Sequence, residues 1–389
     1  MLYHKEQRNI LDLIVPGAEK YHSLLESFGG FVEEEILPHA KAVDQEGTFP
    51  RENLVKLQSH GIMSMPFPPD MNGLGLPFPV YTAALEILAK ACANTALQVS
   101  VQGMVCEGIR LFADDRQRKM YLKEYGLVGG RRLAAFALSE PCCGSDAKAI
   151  QTKAQLSGNR YLLTGSKTLI TNPGEADFIL VFAKTAKGIS LFIVPREAAG
   201  MKIMKDFPKL GLRGSRLSAM HFEKCEVPGE ALVGEEGKGL EYAKQILNAG
   251  RVTIGAIAVG IAQAAYERSL SYSKERKAFG QRISDFQLVQ ERLANMVVEI
   301  HAARLLVAQA ASLKDQGKDI VSEACQAKLY STEMALRVCD SAIQIHGGYG
   351  YIDAYDVHRH WRDARGLTIG EGTSDMLRLL IAHRALKEA

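Results

Sequence analysis

Leu133-Ala134-Ala135-Phe136-Ala137-Leu138-Ser139-Glu140-Pro141-Cys142-Cys143-Gly144-Ser145-Asp146 is a short β-type run that breaks into a turn rich in Ser, Gly and Asp. It divides the chain into zones of different texture. Before it, Leu54, Leu57 and Ile62 follow a helix start at Phe49-Pro50-Arg51-Glu52, and the stretch 81–93 is rich in Ala and Leu. Pro66, Pro68, Pro69, Gly73, Gly75 and Pro77 mark a loop between those helices. After it, β-like runs at 133–138, 152–156, 161–163, 178–183, 189–194, 201–204 and 217–222 alternate with turn signals, the spacing of a compact sandwich or barrel. Beyond Gly234-Glu235-Glu236-Gly237-Lys238-Gly239 the helical period returns, with long runs over 239–275, 284–314, 319–346 and 374–387. Runs of that length pack side by side as a bundle. The pattern predicts an α+β multidomain chain: an N-terminal all-α domain (1–131), a central β-barrel or sandwich domain (132–235) and a C-terminal four-helix bundle (236–389).

Composition agrees with that size. At about 150 residues per domain, 389 residues give two to three domains. Hydrophobic residues are 47% and charged residues 23%, which excludes a disordered chain. Lys plus Arg (47) exceeds Asp plus Glu (44) by three, too small a surplus to point to a nucleic acid or a membrane surface. The seven cysteines are odd in number and form no C-x-x-C pair, so a reducing compartment is expected. Lys5, Glu6, Arg8 and Asp12 interrupt any signal-peptide core, and the apolar stretch 252–265 is shorter than the ~20 residues of a membrane helix. A cytoplasmic location is the expectation. His346, His358 and His360 lack ligand spacing with acidic partners, so no metal is expected. Gly73-Leu74-Gly75 lacks the strand-turn-helix frame of a dinucleotide fingerprint.

The turn at 139–146 presents hydroxyls and backbone N–H groups suited to a polar, electron-rich ligand, and equally serves as a capped strand end. Other blocks follow it in order. They are Thr164-Gly165-Ser166-Lys167-Thr168-Leu169-Ile170-Thr171-Asn172, Lys209-Leu210-Gly211-Leu212-Arg213-Gly214-Ser215 and Arg276-Lys277-Ala278-Phe279-Gly280-Gln281 with Phe286-Gln287. Gln344-Ile345-His346-Gly347-Gly348-Tyr349-Gly350-Tyr351 and Gly370-Glu371-Gly372-Thr373-Ser374-Asp375 close the series. Together, over nearly the whole chain, they resemble the signatures of the acyl-CoA dehydrogenase family.

The resemblance implies a flavoprotein that binds FAD between the β domain and the bundle and oxidises an acyl-CoA thioester to its 2-enoyl form. It also implies a homotetramer and an electron-transfer flavoprotein as acceptor. An oxidase of the same fold, a dehydrogenase of carrier-protein thioesters and a non-catalytic thioester-binding relative remain as alternatives. Such chemistry needs a desolvated carboxylate to take a weakly acidic α-proton. Glu371 fills the position of the family's base. The alternative base position, immediately before Arg251, holds Gly250, which has no side chain to act. By the same resemblance Phe136, Leu138, Ser139, Gly144, Ser145, Leu169, Ile170 and Thr171 contact the flavin. Arg276, Phe279, Gln287, Gln344, Gly347 and Gly348 hold its adenosine and pyrophosphate, partly across subunits. Thr373 and Asp375 open a helix whose N-terminus suits a cofactor phosphate. Ser145, Asn248, Arg251 and Gly372 contact the substrate.

Some positions depart from the family pattern. Leu169 stands where Trp is common, and Gly370 where straight-chain enzymes carry Tyr, so Gly370 is expected to widen the acyl pocket for a branched or cyclic group. Asn248 replaces a frequent acidic residue. Ala96 stands where dicarboxylate-specific relatives carry an arginine, so a second substrate carboxylate would lack a partner.

Overall fold

A computed structural model describes residues 2–388. The N-terminal part is helical: α1 (Lys5–Ile14), α2 (Glu19–Glu35), α3 (Ala40–Glu46), α4 (Arg51–Ser59), α5 (Phe78–Ala91) and α6 (Ala93–Phe112). A single turn, α7 (Asp115–Gln117), runs into a π-helical stretch, Arg118–Glu124. Asp114 caps α7, its carboxylate accepting the Gln117 N–H at 2.7 Å.

The central part is one eight-stranded mixed sheet of β1 (Ala134–Ala137), β2 (Lys153–Ser157), β3 (Arg160–Thr171), β4 (Phe178–Thr185), β5 (Gly188–Pro195), β6 (Met201–Ile203), β7 (Leu217–Pro228) and β8 (Leu232–Val233). Its order is β6-β7-β3-β2-β4-β5-β8, with β1 parallel to β4. In the strand ladder the two halves are joined where Lys153 of β2 pairs with Lys184 of β4. They fold onto each other, because Ile179 and Val181 of β4 share a core with Leu163 of β3 and Phe222 of β7. The barrel or sandwich expected from turn spacing is therefore one bent sheet. The alternate residues of β4, Leu180 and Phe182, face the other way and pack with Ile109 of α6 and Ile246 of the first bundle helix. Burial on both faces explains why β4 and β5 read as unbroken apolar runs.

The C-terminal part holds α8 (Gly239–Glu275), α9 (Gln287–Asp315), α10 (Val321–His346), α11 (Val357–Leu367) and α12 (Ser374–Glu388), with a small hairpin of β9 (Lys277–Ala278) and β10 (Gln281–Arg282). Helix α11 lies between the runs read from periodicity. Helix α8 is the axis of the molecule. It packs on α5, α6, α9 and α10, so the N-terminal helices and the bundle share one apolar core. By length and composition α8 and α9 would each pass for a membrane span, but 83% of the apolar window of α8 is buried inside the protein. Gly260 lets α5 approach, since a methyl group there would overlap the Glu86 carbonyl oxygen.

A buried ion pair crosses this core. Arg304 of α9 donates to both oxygens of Glu86 on α5 at 2.8–3.1 Å, and to Gln263 of α8 at 2.9 Å. Removing one partner leaves the other charged and dry. Arg304→Met should lower unfolding stability by about 3–5 kcal/mol, read as a reduced urea midpoint at unchanged slope.

Candidate active site

Glu371 lies in the short link between α11 and α12 with a left-handed backbone, φ +55°, and Gly372 follows at φ +107°. A glutamate gains nothing from that conformation and is held there by others. Lys328 of α10, fully buried, donates to the Gly372 carbonyl at 2.7 Å. Arg251 of α8 donates from Nε to the Glu371 carbonyl at 3.4 Å and from Nη1 to Asn248 Oδ1 at 2.9 Å. Thr373 Oγ1 accepts the Met376 N–H at 3.3 Å and starts α12.

The carboxyl group is the unusual part. Glu371 Oε2 is buried and has no hydrogen-bond partner. It lies against Gly250 of α8, where an added methyl group would overlap it, with the Met104 sulfur alongside. Only glycine leaves room here, so the position before Arg251 shapes the seat of the carboxyl. Burial raises the Glu371 pKa to about 7, against the opposing pull of Lys328 and Arg251. Burial likewise lowers Lys328 to about 8.

Gly250 and Met104 also line a cavity of about 320 Å³ between α5, α6 and α8. Phe67, Phe78 and Tyr81 contribute rings, Ser100 and Thr253 hydroxyls, and Glu107, Arg110 and Lys314 charges. Gly370 is exposed and not among the lining residues. Gly103 of α6 and Gly250 of α8 are among the cavity's lining residues.

The β-domain residues meet at one place. Phe136 packs on Phe182 with ring centroids 5.0 Å apart, Leu138 is buried and Ser139 half-buried. Lys167 and Glu140, both buried, pair at 2.7 Å. Lys167 also donates to the Leu138 carbonyl at 3.0 Å, and Glu140 accepts the Thr152 and Gln151 N–H groups. Thr168 N–H donates to the Ser139 carbonyl at 3.0 Å, so the turn and β3 are tied side by side. A register shift between Lys167 and Ile170 puts Leu169 at φ +54° and 58% exposed, while Ile170 is buried and Thr171 half-buried. Gly144 and Ser145 face solvent.

A second cavity of about 450 Å³ brings Arg276, Gly347 and Gly348 together with Tyr272 and Tyr349. Phe279, 96% exposed, and the exposed Gln287 and Gln344 lie outside its lining. It shares no residue with the first cavity. The structure therefore gathers Asn248, Arg251, Glu371, Gly372 and Thr373 in one place and Arg276, Gly347 and Gly348 in another, and leaves Phe279, Gln287 and Gln344 outside both cavities. Asp375 is exposed on the first turn of α12. Sequence reasoning missed Lys328 and the Lys167–Glu140 pair. A lysine on the otherwise apolar face of a bundle helix was the available signal for the first.

Family models match along the chain: the N-terminal domain of acyl-CoA dehydrogenase over residues 18–127, the middle domain over 135–225 and the C-terminal domain over 237–386. The chain is 43% identical to a probable acyl-CoA dehydrogenase, YngJ, of Bacillus subtilis, over 92% of this chain and 95% of that one. It is 39% identical to the mitochondrial short-chain specific acyl-CoA dehydrogenase of Homo sapiens, over 95% and 90%. The structure superposes on butyryl-CoA dehydrogenase from Megasphaera elsdenii with a TM-score of 0.90 at 35% identity, covering 98% of each chain.

Lys328→Met removes both the donor to Gly372 and a positive charge that favours ionised Glu371. The ascending limb of kcat/KM against pH should move up by about one unit, equivalent to ~1.4 kcal/mol, in a variant that still folds. A limb that stays in place would contradict this coupling.

Proposed function

Because the chain belongs to the acyl-CoA dehydrogenase family, we propose that Glu371 is its catalytic base and that the cavity behind Gly250 takes the acyl group. The chain is an FAD-dependent oxidoreductase acting on an acyl-CoA. The residues present fit that cofactor. Leu169 and Phe279 hold apolar side chains outward from left-handed backbone, and Gly144, Gly347 and Gly348 leave open space where a Cβ would stand. Phe136, Leu138, Ser139, Ser145, Leu169, Ile170 and Thr171 would hold its ring. Arg276, Phe279, Gln287, Gln344, Gly347, Gly348, Thr373 and Asp375 would hold the remainder. When bound, FAD supplies the acceptor for the hydride leaving the β-carbon.

The orphaned Oε2 of Glu371 carries this reading. An oxygen kept dry and unpaired has no competing partner for a proton, and a pKa near 7 matches a general base at neutral pH. Lys328 and Arg251 fix the backbone that aims it. Arg251 turns inward onto Asn248 and the Glu371 carbonyl, so we assign both residues to positioning the base, with Gly372 admitting the thioester close to the backbone. Electrons leave to an electron-transfer flavoprotein, as the family resemblance implies. Activity should rise as pH climbs through about 7, because the base works only when ionised. Glu371→Gln should retain bound flavin and the fold yet lose substrate-driven bleaching by about 10²–10⁴-fold. Undiminished bleaching would refute the assignment.

The acyl group we propose is branched or cyclic. A cavity of about 320 Å³ walled by Phe67, Phe78 and Tyr81 is large for a four-carbon chain and suits a ring. A short linear group is the second reading, favoured by the short-chain and butyryl-CoA relatives. Anaerobic flavin reduction by a panel of acyl-CoA thioesters decides between them. Isobutyryl- or cyclohexanecarbonyl-CoA should exceed butyryl-CoA in kcat/KM, and the reverse order would establish the linear reading.

A further inference from the structure

Cys142 and Cys143 sit on the turn that leaves β1. Glu140 N–H donates to the Cys143 carbonyl at 2.9 Å and Cys143 N–H to the Glu140 carbonyl at 3.0 Å, closing a tight loop with Pro141 and Cys142 at its tip. The two sulfurs are 3.8 Å apart, and both are free thiols. Cys142 is exposed, whereas Cys143 is buried, with 8% of its surface reachable by solvent. Both sulfurs and a Glu140 oxygen lie within 4.8 Å of one another. Glu140 is already committed to Lys167, Gln151 and Thr152, so what the turn offers is a dithiol whose further contact is a long one, from the Cys142 sulfur to Glu140 Oε2 at 3.9 Å.

The surroundings of the pair are uneven. Upstream, Ser139 is tied to Thr168, and Glu140 to Lys167 and two backbone N–H groups. Downstream, Gly144, Ser145 and Asp146 are exposed, and nothing lies within 4 Å of a Cβ placed on Gly144. A bond between the sulfurs must draw them to about 2.0 Å. The upstream side is pinned, so the displacement goes to residues 144–146.

We propose that Cys142 and Cys143 are a peroxide-operated switch: oxidation to a vicinal disulfide displaces Gly144 and Ser145 and weakens acyl-CoA binding. The thiolate of Cys142, the sulfur that solvent reaches, attacks hydrogen peroxide. The O–O bond breaks, leaving a sulfenic acid on Cys142 and one water. The Cys143 sulfur then attacks the Cys142 sulfur, the S–S bond forms as S–O breaks, and the hydroxyl leaves as a second water with the Cys143 proton. Two thiols lose two electrons and peroxide is reduced to two waters. Burial, followed by the neighbouring Cys142, raises the Cys143 thiol to about 11, which keeps it protonated and leaves the first attack to Cys142.

The binding half of this proposal rests on the dehydrogenase reading; the thiol half does not. Residues 133–148 form one tryptic peptide, bounded by Arg132 and Lys148 and holding both cysteines. Holoenzyme treated with stoichiometric hydrogen peroxide should lose two hydrogens within that peptide. KM for the best acyl-CoA of the panel should rise about tenfold, the size of one or two displaced polar contacts. Dithiothreitol should reverse both changes. Cys143→Ser should keep normal KM after the same treatment and stop at a trappable sulfenic acid. Gain of oxygen without loss of hydrogen in the wild-type peptide would overturn the disulfide. Loss of hydrogen with unchanged KM would overturn the switch. A failure of the dehydrogenase reading shows separately, as untreated enzyme that turns over no acyl-CoA.

Discussion

A carboxylate oxygen, Oε2 of Glu371, kept out of water without a hydrogen-bond partner is the constraint around which the helical half of this molecule is arranged. Burying an unpaired acid is costly, and the protein meets that cost by letting the group hold its proton near neutral pH. Two helices converge on it. Helix α8 offers Gly250, the residue type that leaves space for Oε2. Helix α10 sends in Lys328, and α8 also sends Arg251, each gripping a backbone carbonyl of the Glu371-Gly372 link. The left-handed backbone of Glu371 is held by those two side chains together with the Ser374 N–H, which donates to the Thr368 carbonyl across the link.

The β domain solves a parallel problem with opposite means. Its buried charges, Lys167 and Glu140, are fully paired. They fasten the turn after β1 to the end of β3, so that Ser139 and Leu169 are presented from a rigid edge. The sheet beneath is apolar on both faces of β4, one face turned to its own other half and one to α6 and α8. That shared packing holds the flavin-type edge in a fixed relation to the helix that carries Gly250 and Arg251.

Much of the fold was legible because its periodicities are strong. The long helices and the apolar strand runs reflect burial on one or both faces, which leaves a mark on residue order. Helix α11 left a fainter mark: its buried face carries the polar residues Arg359, His360 and Asp363, and Asp363 accepts the N–H of Leu212, 151 positions away, while Arg359 pairs with Asp356 one turn back. Gly370 shows the limit of reading one residue at a time. Its small size suggested a wider pocket, but it lies outside the lining of this cavity, which includes glycines on α6 and α8.

The order of blocks along the chain was enough to determine the family, the identity of the candidate base and the kind of chemistry, because those depend on which residue types occur in which sequence. Their placement relative to one another was decided by the folded chain. That Oε2 has no partner, that Lys328 lies 2.7 Å from the Gly372 carbonyl and that Gly250 forms the seat are relations between α8, α10 and the α11–α12 link. These contacts join residues separated by about forty to more than a hundred positions, and no local pattern encodes separations of that length.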